Sequence, residues 1–210
     1  MDKNNLDRGM EPSTFSLEHM EIKRMHSNLL GGSSLQIIGN PVTLGQQVFQ
    51  YIKERLPGDY HCLYIDIKQT TSIAEYFKCI YAAVMNTDLV PIQKKIAVKL
   101  TIKANRHASI DYERSLMNLM GHLRFGQKRV ILMLQGLPEL IHTLASNNND
   151  HSAARQFLQC NRSLRHHPKL HKKIQFIYLD ANRLNKMAAG LGISYTINDL
   201  ASVVISGAST

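Results

Sequence analysis

With 210 residues, 44% of them hydrophobic and 20% charged, the chain has the composition of a folded globular domain, which excludes a disordered or fibrous protein. Its formal net charge of +9 at pH 7 indicates anionic partners or surfaces, although a charge that serves only solubility explains it equally well. No apolar run of about 18 residues is present, so no segment is expected to span a membrane.

The N-terminal part of the chain is polar before it becomes helical. Residues 1–15 have mixed charge and the polar character of a flexible segment. This is not the pattern of a signal peptide, so we expect a cytoplasmic protein. A helix is predicted over residues 16–30, because apolar side chains recur at helical spacing at Ile22, Met25 and Leu29.

The next stretch, SLQIIGNPVTLGQQVFQYI, combines an apolar strand, a glycine-containing loop and an amphipathic helix. This is the architecture of a phosphate-binding P-loop, GxxxxGK(S/T), in which backbone N–H groups and a lysine hold the phosphates and a hydroxyl holds Mg²⁺. The motif has Lys and then Ser or Thr after its second glycine, whereas here Gln46 and Gln47 follow Gly45. The scaffold of a P-loop is therefore present without its charge and its metal ligand.

The loop also departs from the motif in length. Five residues separate Gly39 from Gly45, where the motif has four. If Asn40 stands for the first glycine, the spacing is right, but a side chain enters where the backbone should approach the phosphate. In either alignment the N–H groups of the loop need not converge on a phosphate.

A second strand is expected over residues 61–67, HCLYIDI, whose continuous apolar character predicts a buried strand. Asp66 stands near its C-terminal end, where ligands bind in open α/β sheets. The alternative, which we favour, is that Asp66 caps the following turn. Ser72 and Glu75 then form a capping-box pattern at the start of a helix that continues to Met85.

A basic helix, opened by Pro91, comes next. Its cationic residues are Lys94, Lys95, Lys99, Lys103 and Arg106. Such a face can bind nucleic acid or an acidic partner, although a basic helix face is more often simply solvated. A further helix is predicted over residues 111–123.

The second half of the chain alternates strands and helices. The segment RVILML, residues 129–134, is the most apolar strand and is expected at the centre of the sheet; it leads into Gln135 and Gly136. A helix carrying Glu139 starts at Leu137. The elements that follow are a long helix capped by Asp150 that continues to about His166, a strand over 174–179, a helix over 182–190 and a strand over 202–205.

Polar and basic residues lie in the connections between these elements. Asp180 and Asn182 follow the strand over 174–179, so they join Asp66 and Glu139 as candidate polar site residues. The connection before that strand holds a second group of cations, Arg165, Lys169, Lys172 and Lys173. Its histidines have no acidic or cysteine partner beside them, and the three cysteines share no CxxC spacing, so no metal site is predicted.

Five strands separated by helical segments predict an α/β fold with a mainly parallel, five-stranded sheet flanked by helices. A loop-bearing strand and the apolar RVILML strand inside such a sheet fit a P-loop NTPase-like core. We expect a flexible N-terminus over residues 1–15, one core domain over 16–206 and a short tail over 207–210.

The stretch LQIIGNPVTLGQQ resembles the Walker A segment of bacterial STAND-type, AAA-like ATPases, which typically reads Gly-Pro-Arg-Arg-x-Gly-Lys-Thr-Ser. Four further segments resemble that family's later core, namely DYHCLYIDIKQTTSIAEYFKCIY, VILMLQGLPELI, AARQFLQCNRSLR and GLGISYTINDLASVVI. The resemblance runs from about Leu29 to Ile205. It implies a degenerate, truncated P-loop ATPase core, without the helical lid domain that follows the final strand in that family.

The resemblance fails at the positions that carry the family's chemistry. Gln46 and Gln47 stand in place of the Walker A Lys and Thr/Ser. Gln135 and Gly136 stand in place of the Walker B Asp and Glu, which help to hold Mg²⁺ and polarise water. The sensor strand leads into residues 179–181, Leu-Asp-Ala, instead of Thr-Gly-Ser.

These losses can be weighed physically. Phosphoryl transfer depends on positioning and on neutralising charge in the transition state, so a site without these groups should support no useful hydrolysis. Glutamine can still donate neutral hydrogen bonds to a phosphate. We therefore expect no cofactor beyond weak ATP binding.

Three hypotheses follow. The leading one is a non-catalytic pseudo-ATPase that acts as a protein-interaction subunit or regulator of a larger assembly, docked on a protein partner such as a related ATPase. The alternative is an atypical ATP-binding NTPase that uses Asp66, Asp180 or Glu139 for Mg²⁺ and a basic side chain from another subunit. The last is a non-specific nucleic-acid-binding basic protein; no aromatics interleave with either cationic segment, which disfavours single-strand stacking.

The double substitution Gln46→Lys and Gln47→Thr tests the P-loop itself. We expect it to give weak nucleotide binding at most, because Mg²⁺ would still lack the carboxylate at Gln135 and water the carboxylate at Gly136. A quadruple variant that adds Gln135→Asp and Gly136→Glu would be the minimum for turnover. Phosphate release is the measurement, and robust hydrolysis by the double variant would favour the atypical NTPase.

Overall fold

The computed structural model describes residues 19–39, 45–97, 110–121, 123, 129–147, 151–168, 170 and 173–204. Both ends of the chain, including the segment expected to be flexible and the tail, lie outside these residues.

Within the described residues, five strands form one sheet in which every neighbouring pair is parallel. The strands are β1 (Leu35–Ile38), β2 (Tyr60–Asp66), β3 (Arg129–Gln135), β4 (Ile174–Tyr178) and β5 (Ala201–Val204). Their order across the sheet is β2-β3-β4-β1-β5. The α/β class and the parallel five-stranded sheet predicted from the sequence are therefore confirmed.

Helices cover both faces of this sheet. They are α1 (His19–Leu30), α2 (Gly45–Arg55), α3 (Ile73–Met85), α4 (Tyr112–Gly121), α5 (Leu137–Asn147), α6 (Ser152–Arg165) and α7 (Ala181–Gly190). Residues 92–97 are also helical, and a short 3₁₀ turn covers Ser194–Thr196.

The two faces of the sheet have separate hydrophobic cores. On β3, Ile131 and Met133 pack with α1 and α2, which contribute buried residues such as Leu29 and Val48. The alternate residues of β3, including Leu132, pack with α3 to α7 on the opposite face. Because side chains alternate along a strand, one apolar strand can serve both cores, which is why RVILML has no polar member after its first residue.

Two positional predictions for the strands need correction. β2 lies at an edge of the sheet and most of its side chains are half-buried, so it is not the fully buried strand that its apolar sequence predicts. β3 is interior, but the central strand is β4. The composition of a strand indicates how apolar it is. Which neighbours bury the strand depends on the order of the strands in the sheet.

The starts of two helices also test the sequence patterns. At α3 the Ser72 hydroxyl accepts from the Glu75 N–H at 3.2 Å, as the capping box predicts, while the Glu75 carboxylate accepts from the N–H of Thr71 at 2.7 Å. At α6 the residue before the helix is His151, in a left-handed conformation at φ 55° and without a side-chain capping bond. The predicted cap at Asp150 is therefore wrong by one residue, and Asp150 itself lies outside the described residues.

A buried polar network ties α6 to β4 and to the loop before β5. The Arg165 side chain, with 6% of the residue exposed, donates to both Asp199 carboxylate oxygens at 2.7 and 2.8 Å, and to the Tyr178 hydroxyl at 3.3 Å. It also donates to the carbonyl of Thr196. The interpretation of Arg165 as an anion-binding residue is therefore wrong, because its guanidinium already donates to acceptors inside the protein.

This arrangement stabilises the ionised form of the Asp199 side chain. Partial burial alone would raise the pKa of Asp199, but the hydrogen bonds and charge of Arg165 hold that pKa below its ordinary value. A carboxyl whose pKa is lower in the folded than in the unfolded state stabilises the fold above its unfolded pKa of about 3.9, and loses that contribution as the pH falls through the folded value.

Asp199→Ala should lower the free energy of unfolding by about 3 kcal/mol at pH 7, because it leaves a buried guanidinium without its carboxylate. Urea titrations of both proteins measure the difference, and it should shrink near pH 3. Asp59→Ala, which removes an exposed carboxylate, is the matched control and should change stability little. Equal effects of the two substitutions at pH 7 would contradict the buried pair.

Candidate functional site

The predicted nucleotide site lies at the edge of the sheet that is formed by the C-terminal ends of all five parallel strands. Gly39 follows β1, and Gly45 is the buried first residue of α2. Gln46 and Gln47 are exposed in the first turn of α2. Asn40 and the remainder of the loop up to residue 44 lie outside the described residues.

Gln135, at the Walker B metal position, is folded against the start of α2. Only 5% of the residue is exposed, and its Oε1 accepts a hydrogen bond from the Tyr64 hydroxyl of β2. A Cβ added at Gly45 would lie 2.6 Å from this Oε1 and 3.1 Å from the Tyr64 hydroxyl. The Gln135–Tyr64 pair therefore fills the space beside Gly45, and a side chain at position 45 would require this pair to shift.

Tyr64 acts as a neutral donor in this pair. Burial and then the nearby charge of Asp66 raise the pKa of the Tyr64 hydroxyl, so it keeps its proton at neutral pH. Its ring lies beside that of Phe49 on α2, with the ring centres 5.7 Å apart. Sequence reasoning missed Tyr64, because only the pairing of β2 with β3 brings it next to the end of β3.

Gly136, at the Walker B glutamate position, has no room for a side chain. Its φ is +98°, a conformation that residues with a Cβ rarely adopt. A Cβ built here would lie 2.5 Å from the backbone nitrogen of Lys68 and 2.7 Å from its Cα. The backbone of the turn after β2 therefore occupies the place of a catalytic carboxylate.

Asp66 belongs to the same turn. It is exposed, and its Oδ1 accepts from the N–H of Lys68 at 3.0 Å. This is the turn-capping role that we favoured from the sequence.

Two of the candidate polar residues are joined by an arginine that sequence reasoning did not single out. Arg183 of α7 lies 2.6 Å from the Glu139 carboxylate and 3.3 Å from that of Asp180. Burial and then the charge of Glu139 raise the pKa of Asp180, although Arg183 opposes both effects. Asn182 is the second residue of α7, and the position of its side chain lies outside what the structure describes.

The two predicted cationic segments are only partly described. Lys94 and Lys95 are half-buried on the helical residues 92–97, and Lys173 is exposed just before β4. Five other members lie outside the described residues: Lys99, Lys103, Arg106, Lys169 and Lys172.

A groove of about 750 Å³ runs along α2 from the first turn of the helix to its end. Its lining includes the two glutamines of the degenerate motif as well as Phe49, Tyr51 and Tyr64. At the far end the guanidinium of Arg55 lies 3.6 Å from the centre of the Tyr51 ring. The groove is therefore amide-rich and aromatic at the end next to Gly45.

The described residues contain no group of three His, Cys, Asp or Glu side chains that could hold a metal ion. The three cysteines are free thiols, and burial raises the pKa of Cys62 to about 11. Burial also raises the pKa of Cys79 and Cys160, so all three stay protonated at neutral pH and are poor nucleophiles. Among the described residues, no helix has the length and apolar character needed to cross a membrane.

The parallel sheet, and the helix that starts at the segment resembling Walker A, define a P-loop NTPase-like α/β fold. No family model and no curated protein matches the chain.

Two solved structures from Aeropyrum pernix are similar to it. The chain aligns with the ORC1 protein in complex with DNA at a TM-score of 0.53 and 11% identity, covering 94% of this chain and 47% of that one. It aligns with the ORC2 protein in its ADPNP-ADP complexes at a TM-score of 0.51 and 15% identity, covering 94% and 50%. The chain thus spans about half the length of these proteins, and the likeness supports the fold.

Gly136→Ala should destabilise the protein by about 2 kcal/mol or more, because the new methyl group meets the backbone of Lys68 and φ is positive. Gly190→Ala, at the end of α7 with no atom within 4 Å of its added Cβ, is the matched control and should be neutral or slightly stabilising. Thermal or urea unfolding distinguishes the two. If Gly136→Ala is as mild as the control, a side chain can be accommodated at the Walker B position.

Proposed function

We propose that this chain is a non-catalytic, P-loop NTPase-like protein that acts as a protein-interaction subunit or regulator of a larger assembly. The observation that carries the proposal is the packing around Gln135 and Gly136, the two positions that the resemblance assigns to the Walker B carboxylates. Gln135 and Tyr64 pack against Gly45, and the backbone of Lys68 occupies the space beside Gly136. Both positions that should offer carboxylates to Mg²⁺ and to water are thereby filled by neutral groups.

The residues present do not fit Mg²⁺–ATP. A carboxamide can offer one neutral oxygen to a metal ion, but the Gln135 oxygen already accepts from Tyr64. Magnesium is usually held by carboxylates, hydroxyls and phosphates in octahedral geometry, and the described residues at this edge do not supply them around Gln135. No step of hydrolysis can be assigned to side chains that neither neutralise charge nor polarise water.

The charges at this edge also disfavour a triphosphate. Asp66 is exposed there, and Glu139 and Asp180 face each other across Arg183. Arg183 is already shared by two carboxylates, so it offers little net positive charge to a phosphate. Weak ATP binding through the exposed Gln46 and Gln47 is the most that this arrangement supports.

Exposed apolar side chains support the interaction role. Ile92 and Ile96 have exposures of 68% and 53% and lie one helical turn apart, beside Lys95. Two adjacent exposed isoleucines are costly for an isolated protein and are typical of a docking surface. A protein partner with an apolar and acidic contact surface, such as a related ATPase in the cytoplasm, fits this pattern.

The atypical NTPase remains the second candidate, because Glu139 and Asp180 do come together at the expected edge. In that case Mg²⁺ would have to displace Arg183 from both carboxylates. The substitution Arg183→Ala separates the two proposals, since it would strengthen Mg²⁺–ATP binding by an atypical NTPase and leave a non-catalytic protein unchanged.

Calorimetric titration with Mg²⁺–ATP is the test of the nucleotide half of the proposal. We expect dissociation constants no tighter than about 1 mM for the natural chain and for Arg183→Ala, a limit of about 4 kcal/mol of binding free energy. Micromolar binding by either protein, together with phosphate release, would overturn the non-catalytic assignment.

Capture of partners from the native cell tests the interaction half. Ile92→Glu should abolish recovery of a stoichiometric partner, because it places a charge in an apolar contact. Gln93→Glu, which adds the same charge at the adjacent exposed position, is the matched control and should retain the partner. A monomeric natural chain in light scattering with no partner in the capture would contradict this role.

A further inference from the structure

Helix α6 has a one-sided charge pattern that the proposed function does not use. The helix contains three arginines and no acidic residue. Arg165 faces inward, whereas Arg155, Gln159 and Arg162 are exposed and recur at intervals of four and three residues, so they lie along one outer face. His166, exposed one residue beyond the helix, continues this stripe.

A surface pocket of about 370 Å³ lies at the C-terminal half of the stripe, between α6 and the 3₁₀ turn. Its lining consists of Gln159, Arg162, Ser163, His166 and Tyr195. The Gln159 amide donates to the Tyr195 hydroxyl at 3.0 Å, and the Arg162 guanidinium lies 5.7 Å from the centre of the Tyr195 ring. These contacts hold an exposed aromatic ring beside a cation.

Tyr195 is unusual because 47% of it is exposed although it sits on an ordered turn. Thr196 beside it is fully buried, and the Thr196 carbonyl is held by Arg165. The buried Arg165–Asp199 pair thus fixes the turn that presents the ring. A rigidly presented, half-exposed tyrosine offers a flat surface to a ligand at low entropic cost.

The electrostatics of the pocket favour an anion. The carboxylate of Asp199 lies 3.2 Å from His166, and its charge is balanced by Arg165 at 2.7 Å. In the part of the chain that the structure describes, no carboxylate pairs with Arg162. The positive charge of Arg162 is therefore available at the mouth of the pocket.

We propose that this pocket binds single-stranded nucleic acid, with Arg162 contacting a phosphate and the Tyr195 ring stacking on a base. Cationic side chains beside an aromatic platform are the combination that single-strand-binding surfaces use. In a duplex the faces of the bases are stacked on one another, so they cannot stack on the Tyr195 ring. An acidic peptide would bind to the arginine charge without needing an aromatic surface. This surface adjoins the second cationic segment at His166, and its role does not depend on nucleotide binding at the P-loop.

Fluorescence anisotropy with labelled oligo(dT) and oligo(U) of about 20 nucleotides, at roughly 50 mM salt, is the direct measurement. A DNA duplex of the same length and polyglutamate as a competitor are the comparison ligands. The variants are Arg162→Ala, Tyr195→Ala and Tyr195→Phe. Arg24→Ala, which removes an exposed arginine from α1 on the opposite face of the sheet, controls for the loss of one positive charge.

We expect oligo(dT), oligo(U) or both to bind more tightly than the duplex. Tyr195→Ala should weaken binding about tenfold, while Tyr195→Phe, which keeps the ring, should bind nearly as the natural chain does. Arg162→Ala should weaken binding and reduce the slope of log K against log salt by about 0.7. Arg24→Ala should leave the affinity within about twofold.

Several outcomes would overturn the proposal. They are the absence of single-strand binding at low salt, a preference for duplex, equal losses in Arg162→Ala and Arg24→Ala, or an affinity that is indifferent to Tyr195. Complete competition by polyglutamate at equal charge concentration would assign the pocket to an acidic protein instead. Because every substituted side chain is exposed, unchanged circular dichroism and thermal melting are expected and verify that a loss of binding is not a loss of fold.

Discussion

The close approach of two backbone segments, at Gly136 and Lys68, constrains the whole edge of the sheet where the strands end. The Ile67 N–H donates to the carbonyl of Gln135 at 2.8 Å, which continues the pairing of β2 and β3 one step beyond the sheet. That extra bond brings the turn after β2 over Gly136. It also aligns Tyr64 with the side chain of Gln135, and hence with Gly45 at the start of α2. The connections that follow β1, β2 and β3 are thus packed together by contacts between neutral groups.

The packing at this edge and the network around Arg165 divide the molecule's polar interactions into two kinds. Around Arg165 the ionic groups are buried and satisfied, so they fix the position of α6 and of the loop before β5. At the edge of the sheet the half-buried carboxylates of Glu139 and Asp180 pair with the exposed Arg183. The outer side of α6 carries further exposed positive charge, at Arg155 and Arg162.

Local sequence patterns predicted most of the fold. The apolar runs of β3 and β4, the glycines after α1 and the capping box at Ser72 each depend on residues close in sequence, and each element was found within a few residues of its predicted bounds. The placement of β2 was wrong because burial depends on neighbours in the sheet. The start of α6 was wrong because a left-handed His151, without a side-chain cap, leaves no signal in the pattern.

For the candidate site, the sequence predicted which P-loop residues are missing, but it did not predict which residues occupy their space. A motif identifies the missing lysine, hydroxyl and carboxylates, since their positions are fixed by spacing. The residues that fill the space come from distant parts of the chain: Tyr64 is 71 residues from Gln135, and Arg183 is 44 residues from Glu139. Arg165 shows the reverse error, because a cation within a basic run looks solvated until the acceptor 34 residues away is known.

Gly45 illustrates how the glycine of a P-loop-like segment can serve packing. In a working P-loop that glycine allows the backbone to approach phosphate, whereas here it makes room for the carboxamide of Gln135. A Cβ at position 45 would require the side chain of Gln135 to shift, so the small size of residue 45 and the position of Gln135 depend on each other. A glycine in a sequence signature can therefore reflect packing alone, and its presence carries no information about whether a phosphate is bound.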